Sequence, residues 1–285
     1  MRPSPDICRR LTAIGALADD AVGLTETALI LAAASRPGSD AMPYERHLEK
    51  LTDDVAAYVG ADADDPVSGL EMRTEALRQV MVKRYGYAGS DDAYDDPDCA
   101  NLMRVIDRRQ GLPVTLGIVA LHIARALGWH MEGLDFPPRF LVRMEFEGRR
   151  AILDVFDGCI ELTPPDLRGL YKAVSGAHVE ISPSQYTAMS NRDILLRAAA
   201  KVKIHHLRSE RLDEALDTIK TMLLFAPENA PLWREAGILY ARLDRIPEAI
   251  AALEEFLRHA EGEPSGDTSR YKTSVLLQEL RERLN

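Results

Sequence analysis

The sequence predicts an α+β protein that is mostly helical, with a small sheet at mid-chain and a short helical solenoid at the C-terminal end. Three observations carry this. Apolar residues recur three and four apart over much of the chain, apolar alternation over Phe140 to Phe146 is followed by a nearly continuous apolar run from Ala151 to Phe156, and matching small residues recur at a fixed interval in the last third. At 285 residues the chain is long enough for one or two domains with a substantial core. Its 45 acidic against 35 basic residues give a net charge of −10, which disfavours nucleic acid or an anionic membrane as partner.

At the start, Arg9-Arg10 followed by Leu11 to Ala18 mimics a short leader, but Asp19-Asp20 follow at once. The segment is read as an amphipathic helix. Thr25 to Ala34 has Thr25 and Glu26 in N-terminal positions and stops before Pro37-Gly38. Two amphipathic helices follow, Tyr44 to Tyr58 and Leu70 to Tyr85, separated by a loop at Gly60 to Pro66. Tyr85 through Asp98 is expected to be a long surface loop. The central helix rests on Leu116, Val119, Ala120, Ile123, Ala124 and Leu127, with Pro113 in the first turn and Gly128 as its stop. A hairpin follows: Phe140, Val142, Met144 and Phe146 share one face, Leu141, Arg143 and Glu145 the other, and Glu147-Gly148 makes the turn into Ala151 to Phe156. Asp154 lies inside that apolar return strand, where a carboxylate needs a partner; a structural ion pair or a strand-end position would supply one. Pro164-Pro165 and Ser182-Pro183-Ser184 punctuate the region after the hairpin, and the division is placed near Ser190, giving units 1–190 and 191–285. No segment approaches the length of a membrane span.

The last third repeats. Trp233, Gly237, Tyr240 and Ala249 have the spacing of a tetratricopeptide unit, with Leu253 four residues further on. Subtracting 34 from 249 gives Ala215, the matching alanine of an earlier unit that closes with Pro227. Small alanines let paired helices approach closely, while Trp233 and Tyr240 are expected to be largely buried between them. A helix from Ser269 to Leu284 closes the stack.

The string YDDPDCANLMRVIDRRQGLPVTLGIVALHIARALG, followed by FPPRFLVR and ILDVFDG, resembles the bacterial SirB-type family, a transglutaminase-like (papain-like) core followed by tetratricopeptide repeats. The resemblance covers most of the chain from about Thr27 onward. It implies a Cys, His and Asp arranged on the central helix and hairpin, and here only one of the three is present. The nucleophile position, fifteen residues before the helix-ending Gly128, is Pro113; the base position, entering the first strand, is Arg139, where relatives commonly have His; the orienting acid matches Asp154. A thiol nucleophile needs an imidazole that exchanges its proton near neutral pH, and arginine stays protonated. Arg139 is instead expected to pair with Asp154.

Other groups offer little chemistry. Thr115, two residues into the helix, is read as a first-turn residue without an adjacent base. Cys99 precedes a helix of Leu102, Val105 and Ile106, but five nearby aspartates between Asp91 and Asp98 oppose a thiolate, so a buried, inert thiol is expected. Cys8 and Cys159 have no histidine at a recognisable spacing. Three scattered cysteines argue against a zinc site or a disulfide framework and fit a reducing, cytoplasmic compartment. His205 and His206 are adjacent on a helix and cannot converge on one ion. The aspartate run lacks the pattern of an EF-hand, and no phosphate or dinucleotide motif occurs, so no metal and no cofactor is expected.

Two functional classes follow. The first is a non-catalytic interaction or regulatory protein that binds a protein or peptide. The second is a cysteine-peptidase-like or amide-transfer enzyme working through unrecognised residues. A small anionic-ligand pocket around Arg139 and Arg143 is a variant of the first.

Overall fold

The computed structural model of the chain describes residues 3–137, 139–176, 181–182, 186–260 and 267–284; Pro183 and Ser184, read above as punctuation, lie outside them. The chain forms two compact units, Ala18–Ala198 and a second built from Met1–Leu17 with Ala199–Asn285. The linear division at 190 gave the N-terminal helix, α1 (Pro5–Gly15), to the first unit. It belongs to the second, for a packing reason given below.

The larger unit begins with α2 (Leu24–Ala34), α3 (Met42–Val59) and α4 (Gly69–Leu77), which runs on as a π-helical turn over Arg78–Arg84. Two 3-10 turns, Asp91–Tyr94 and Pro97–Ala100, lead to α5 (Leu102–Arg108) and then α6 (Pro113–Ala126). Eleven of the fourteen residues of α6 are buried, so it is the helix around which this unit packs. Pro113 opens it where no intrahelical N–H is needed.

The sheet is an antiparallel meander of β1 (His130–Asp135), β2 (Phe140–Phe146), β3 (Arg149–Asp154) and β4 (Ile160–Glu161) in that order. The register Gly133↔Val142↔Leu153 places alternate residues on the α6 side. There the ring of Phe140 fills the space left by two glycines: a Cβ at Gly117 of α6 or at Gly133 of β1 would run into it. The opposite face is apolar at Leu134 and Leu141, which pack with Phe136, Leu167 and Tyr171, and charged further along at Glu132, Arg143 and Glu145. β1 and the two-residue β4 are strands that the sequence pattern does not mark. The Gly, Glu and Asp of β1 weaken a strand signature, and its outer edge is paired by residues 187–189 from far along the chain. Pro164-Pro165 likewise opens a helix, α7 (Pro164–Ser175), closed at its start by a reciprocal Thr163–Asp166 capping box. The division between the units falls within α8 (Asn191–Arg208).

The stretch expected as a surface loop, Tyr85 to Asp98, is stitched to the unit. Tyr87 is 1% exposed, and its hydroxyl lies 2.9 Å from His47 Nε2 and accepts from Arg109 Nη1 at 2.9 Å. Ala88 N–H donates to the carbonyl of Arg109 and Gly89 N–H to that of Phe156, each at 3.0 Å. Isolated apolar residues among aspartates hide this in the sequence, because their partners are all distant.

In the second unit α9 (Leu212–Phe225), α10 (Ala230–Arg242), α11 (Ile246–His259) and α12 (Asp267–Leu284) stack in sequence. Ala215 and Ala249 are fully buried at their matching positions. A Cβ at Gly237 would come within 2.5 Å of Leu253, so this glycine lets α10 and α11 touch. Trp233 and Tyr240 are of intermediate burial, with the greater part of each residue covered. Trp233 packs on Ala230, Phe256 and Ala260, and its indole N–H donates to the Pro227 carbonyl at 2.7 Å, tying the turn to α10. The N-terminal helix joins this unit because α1 lies along α9: Gly15 sits against the Leu224 carbonyl and the Pro227 ring, where any side chain would collide.

Two predictions follow from this packing. Gly117→Ala should destabilise the chain by about 1–3 kcal/mol in urea denaturation, because Phe140 must leave its rotamer or the helix must lift. Burial, and secondarily the Arg109 guanidinium, push His47 down from 6.5 to about 4. Between these values the unfolded chain binds the proton and the folded chain does not, so stability is full above pH 6.5 and falls as pH drops toward 4. In His47→Gln the stability–pH slope across that window should flatten relative to the parent chain.

Candidate functional site

β3 ends at Asp154, and the chain turns at once. That turn aims the backbone N–H groups of Phe156 and Asp157 at Asp154 Oδ1, at 3.0 and 3.2 Å. The other oxygen, Oδ2, accepts from Arg139 Nη1 at 2.7 Å. The Asp154 side chain is 1% exposed and that of Arg139 is 28% exposed. A carboxylate within an apolar strand is thereby tolerated: every described partner is a donor, and one carries a full opposite charge. Both readings of Asp154, ion pair and strand end, hold together. The Arg139 guanidinium also lies over the Phe156 ring at 5.3 Å, and Phe156 packs against Tyr94 with ring centroids 5.6 Å apart. Tyr94 and Phe156 were not singled out from the sequence. Tyr94 sits in the acidic run and Phe156 at the end of a strand, and only the fold brings both to Arg139.

The opposite end of the expected triad is a structural joint. Pro113 is buried at the first position of α6. The hydroxyl of Thr115 is directed at two carbonyls, Cys99 at 2.8 Å and Leu112 at 3.0 Å, and Leu112 N–H donates to Cys99 at 3.2 Å. Thr115 thus fastens the start of α6 to the preceding 3-10 turn. The Cys99 thiol is buried, and burial followed by Asp96 raises its pKa. Cys159 is also buried, and burial pushes its thiol up to about 12. Cys8, half-buried in α1, lies 3.8 Å from the Pro3 carbonyl. Arg143 is engaged elsewhere. It pairs with Glu132 on β1 and lies 2.9 Å from Glu145 through Nε without hydrogen-bond alignment, while Nη1 donates to the Tyr186 carbonyl at 3.4 Å. Of the residues named from the sequence, the described contacts bring Arg139 and Asp154 together; Arg143 makes none with either. Among the described residues no group of three His, Cys, Asp or Glu side chains is arranged to hold a metal ion.

Removing Arg139 would leave Asp154 buried with only its two backbone donors. Arg139→Ala should therefore cost about 2–3 kcal/mol, at or just below the usual range for a stranded buried charge because Arg139 itself is part-exposed. Asp154→Asn should lose less, and a double-mutant cycle should show a coupling of at least about 1 kcal/mol. Additive effects in chemical denaturation would contradict direct coupling.

Comparison with known proteins matches two segments of the chain. Residues 43–200 match the model of the transglutaminase-like superfamily, and residues 202–285 match a tetratricopeptide-repeat model. A UPF0162 protein of Vibrio cholerae is 28% identical over 90% of this chain and 93% of its own. Protein SirB1 of Salmonella typhimurium is 24% identical over 75% of this chain and 81% of its own. Among solved structures, menin aligns with a TM-score of 0.35 and 12% identity over 94% of this chain and 72% of its own. The chain belongs to the transglutaminase-like superfamily, in the SirB-type arrangement that joins this core to tetratricopeptide repeats.

Proposed function

We propose that this chain is a non-catalytic, cytoplasmic interaction protein whose repeats bind a protein or peptide and whose core is a transglutaminase-like frame without its chemistry. The observation that carries this reading is the Arg139–Asp154 pair. The position where the superfamily resemblance calls for a base holds a permanently charged guanidinium, locked to the acid that would have oriented a histidine. Pro113 at the nucleophile position supplies no attacking atom, and Thr115, two residues on, has its hydroxyl committed to two carbonyls. Burial of Cys99 and Cys159 disfavours the thiolate that an alternative nucleophile would need. Tetratricopeptide stacks present helix surfaces to partner chains. Here an open groove of about 670 Å³ runs between α11 and α12, lined by residues that include Leu257, Arg258, Leu277 and Arg281. The net charge of −10 favours a protein over a nucleic acid as partner. No helix among the described residues is long and apolar enough to cross a membrane.

Two measurements test the reading. Iodoacetamide at neutral pH should label neither Cys99 nor Cys159 in the native protein, and both after denaturation; selective rapid labelling of either would return the chain to the cysteine-peptidase or amide-transfer class. A photocrosslinking residue placed at Tyr271, which is 72% exposed on α12, should capture a discrete protein in the native host. Its yield should fall when Arg258 and Arg281 at the groove rim are replaced by Glu.

A further inference from the structure

The pairing of Arg139 with Asp154 uses only part of the guanidinium. Asp154 takes Nη1, and among the described residues Nη2 and Nε make no hydrogen bond, although the side chain is 28% exposed. Nε and Nη2 form one edge of the planar group, the edge that matches the two oxygens of a carboxylate. That edge is held still. Asp154 holds the guanidinium through Nη1, and the guanidinium Cζ lies over the Phe156 ring, 5.3 Å from the centroid, with Tyr94 packed on that ring. A donor fork oriented before binding loses little side-chain entropy when a ligand arrives.

We infer that this fork is a carboxylate-binding site, taking either the C-terminal carboxylate of a peptide or an acidic side chain. The inference rests on the non-catalytic reading of the core, since it gives the degenerate triad position a recognition role. Geometry, more than charge, selects the ligand. Asp154 already balances Arg139, and Asp157 also acts on the same guanidinium, so the corner is close to neutral or slightly negative overall. Both aspartates repel an anion, a phosphate dianion about twice as strongly as a planar monoanion, so the two parallel hydrogen bonds of the fork, rather than net charge, would hold the carboxylate. Tyr94, 40% exposed and packed on the buried Phe156, would provide an apolar flank for the ligand's carbon adjacent to its carboxylate.

The test is a titration of the full chain, labelled with 15N at arginine and followed at the Arg139 Nε–Hε resonance. N-acetylglycine probes a terminal carboxylate, N-acetylglutamate α-amide a side-chain carboxylate, and N-acetylglycinamide the same framework without the charge. At least one carboxylate should shift the resonance saturably, with Kd on the order of 1–10 mM for so few contacts, and the stronger of the two identifies the source. The amide should not shift it. Sodium phosphate should bind about tenfold more weakly than the better carboxylate, and Arg139→Lys, which keeps charge but loses the fork, should weaken that carboxylate about tenfold. A linear shift matching that of chloride at equal ionic strength, an equal response to the amide, or phosphate binding as tightly as carboxylate would each overturn the proposal. The amide and phosphate arms use the unaltered protein, so a variant that fails to fold does not remove the test. Iodoacetamide labelling is read separately: slow labelling with no carboxylate binding leaves the non-catalytic reading intact, and rapid labelling would count against that reading alone.

Discussion

The ring of Phe140 wedged between Gly117 and Gly133 sets the geometry of the whole core. It fixes how closely α6 approaches the sheet and, because Phe140 is the first residue of β2, where that strand begins. Arg139 immediately precedes Phe140, and Asp154 immediately follows Leu153, the partner of Val142 in the β2–β3 register. Seating one aromatic ring against α6 therefore carries Arg139 to the end of β3 where Asp154 waits. A one-residue slip would turn every side chain of β2 to the other face and separate the pair. The ion pair is thus downstream of apolar packing, and its own contribution to stability is secondary to the burial that creates it.

Asp154 accepts two backbone N–H groups besides the guanidinium, so its orientation is set by the turn at Phe156 and Asp157 as much as by its partner. Such a carboxylate would hold an imidazole as readily as an arginine. With arginine there, that position itself offers no group able to exchange a proton at neutral pH. The other end of the frame is equally committed: Leu112, Thr115 and Cys99 are linked through one carbonyl, which ties α6 to the turn before it and leaves the Thr115 hydroxyl serving the backbone.

The repeat unit shows a different economy. Its contacts depend on small residues at matching positions, Ala215 and Ala249 inside and Gly237 against Leu253, which let helices touch. Trp233 and Tyr240 complete the stack from its margin, each keeping part of its surface outward. The helix α1 lies along α9 by the same device, with Gly15 against the Leu224 carbonyl.

Much of this was legible in the chain itself. The buried helix from Pro113, the alternation from Phe140 to Phe146 and the repeat marked by Ala215 and Ala249 follow from residue type and spacing, which act locally. An apolar stripe must find cover, and an arginine cannot be a base wherever it sits. The Arg139–Asp154 pair was also expected, because a carboxylate in an apolar strand demands a partner. Other features depended on neighbours far apart in sequence. β1 carries Gly133 where Phe140 needs room, so its own residues scarcely mark it as a strand. Tyr87 is buried because His47 and Arg109 converge on it, and the aspartate-rich stretch after it looks like open loop until those partners are in place. Tyr94 and Phe156 reach Arg139 only through the fold. Sequence determined which groups could do chemistry and which stretches had to be buried; tertiary structure decided which of them meet, because contact depends on distances that residue spacing alone does not contain.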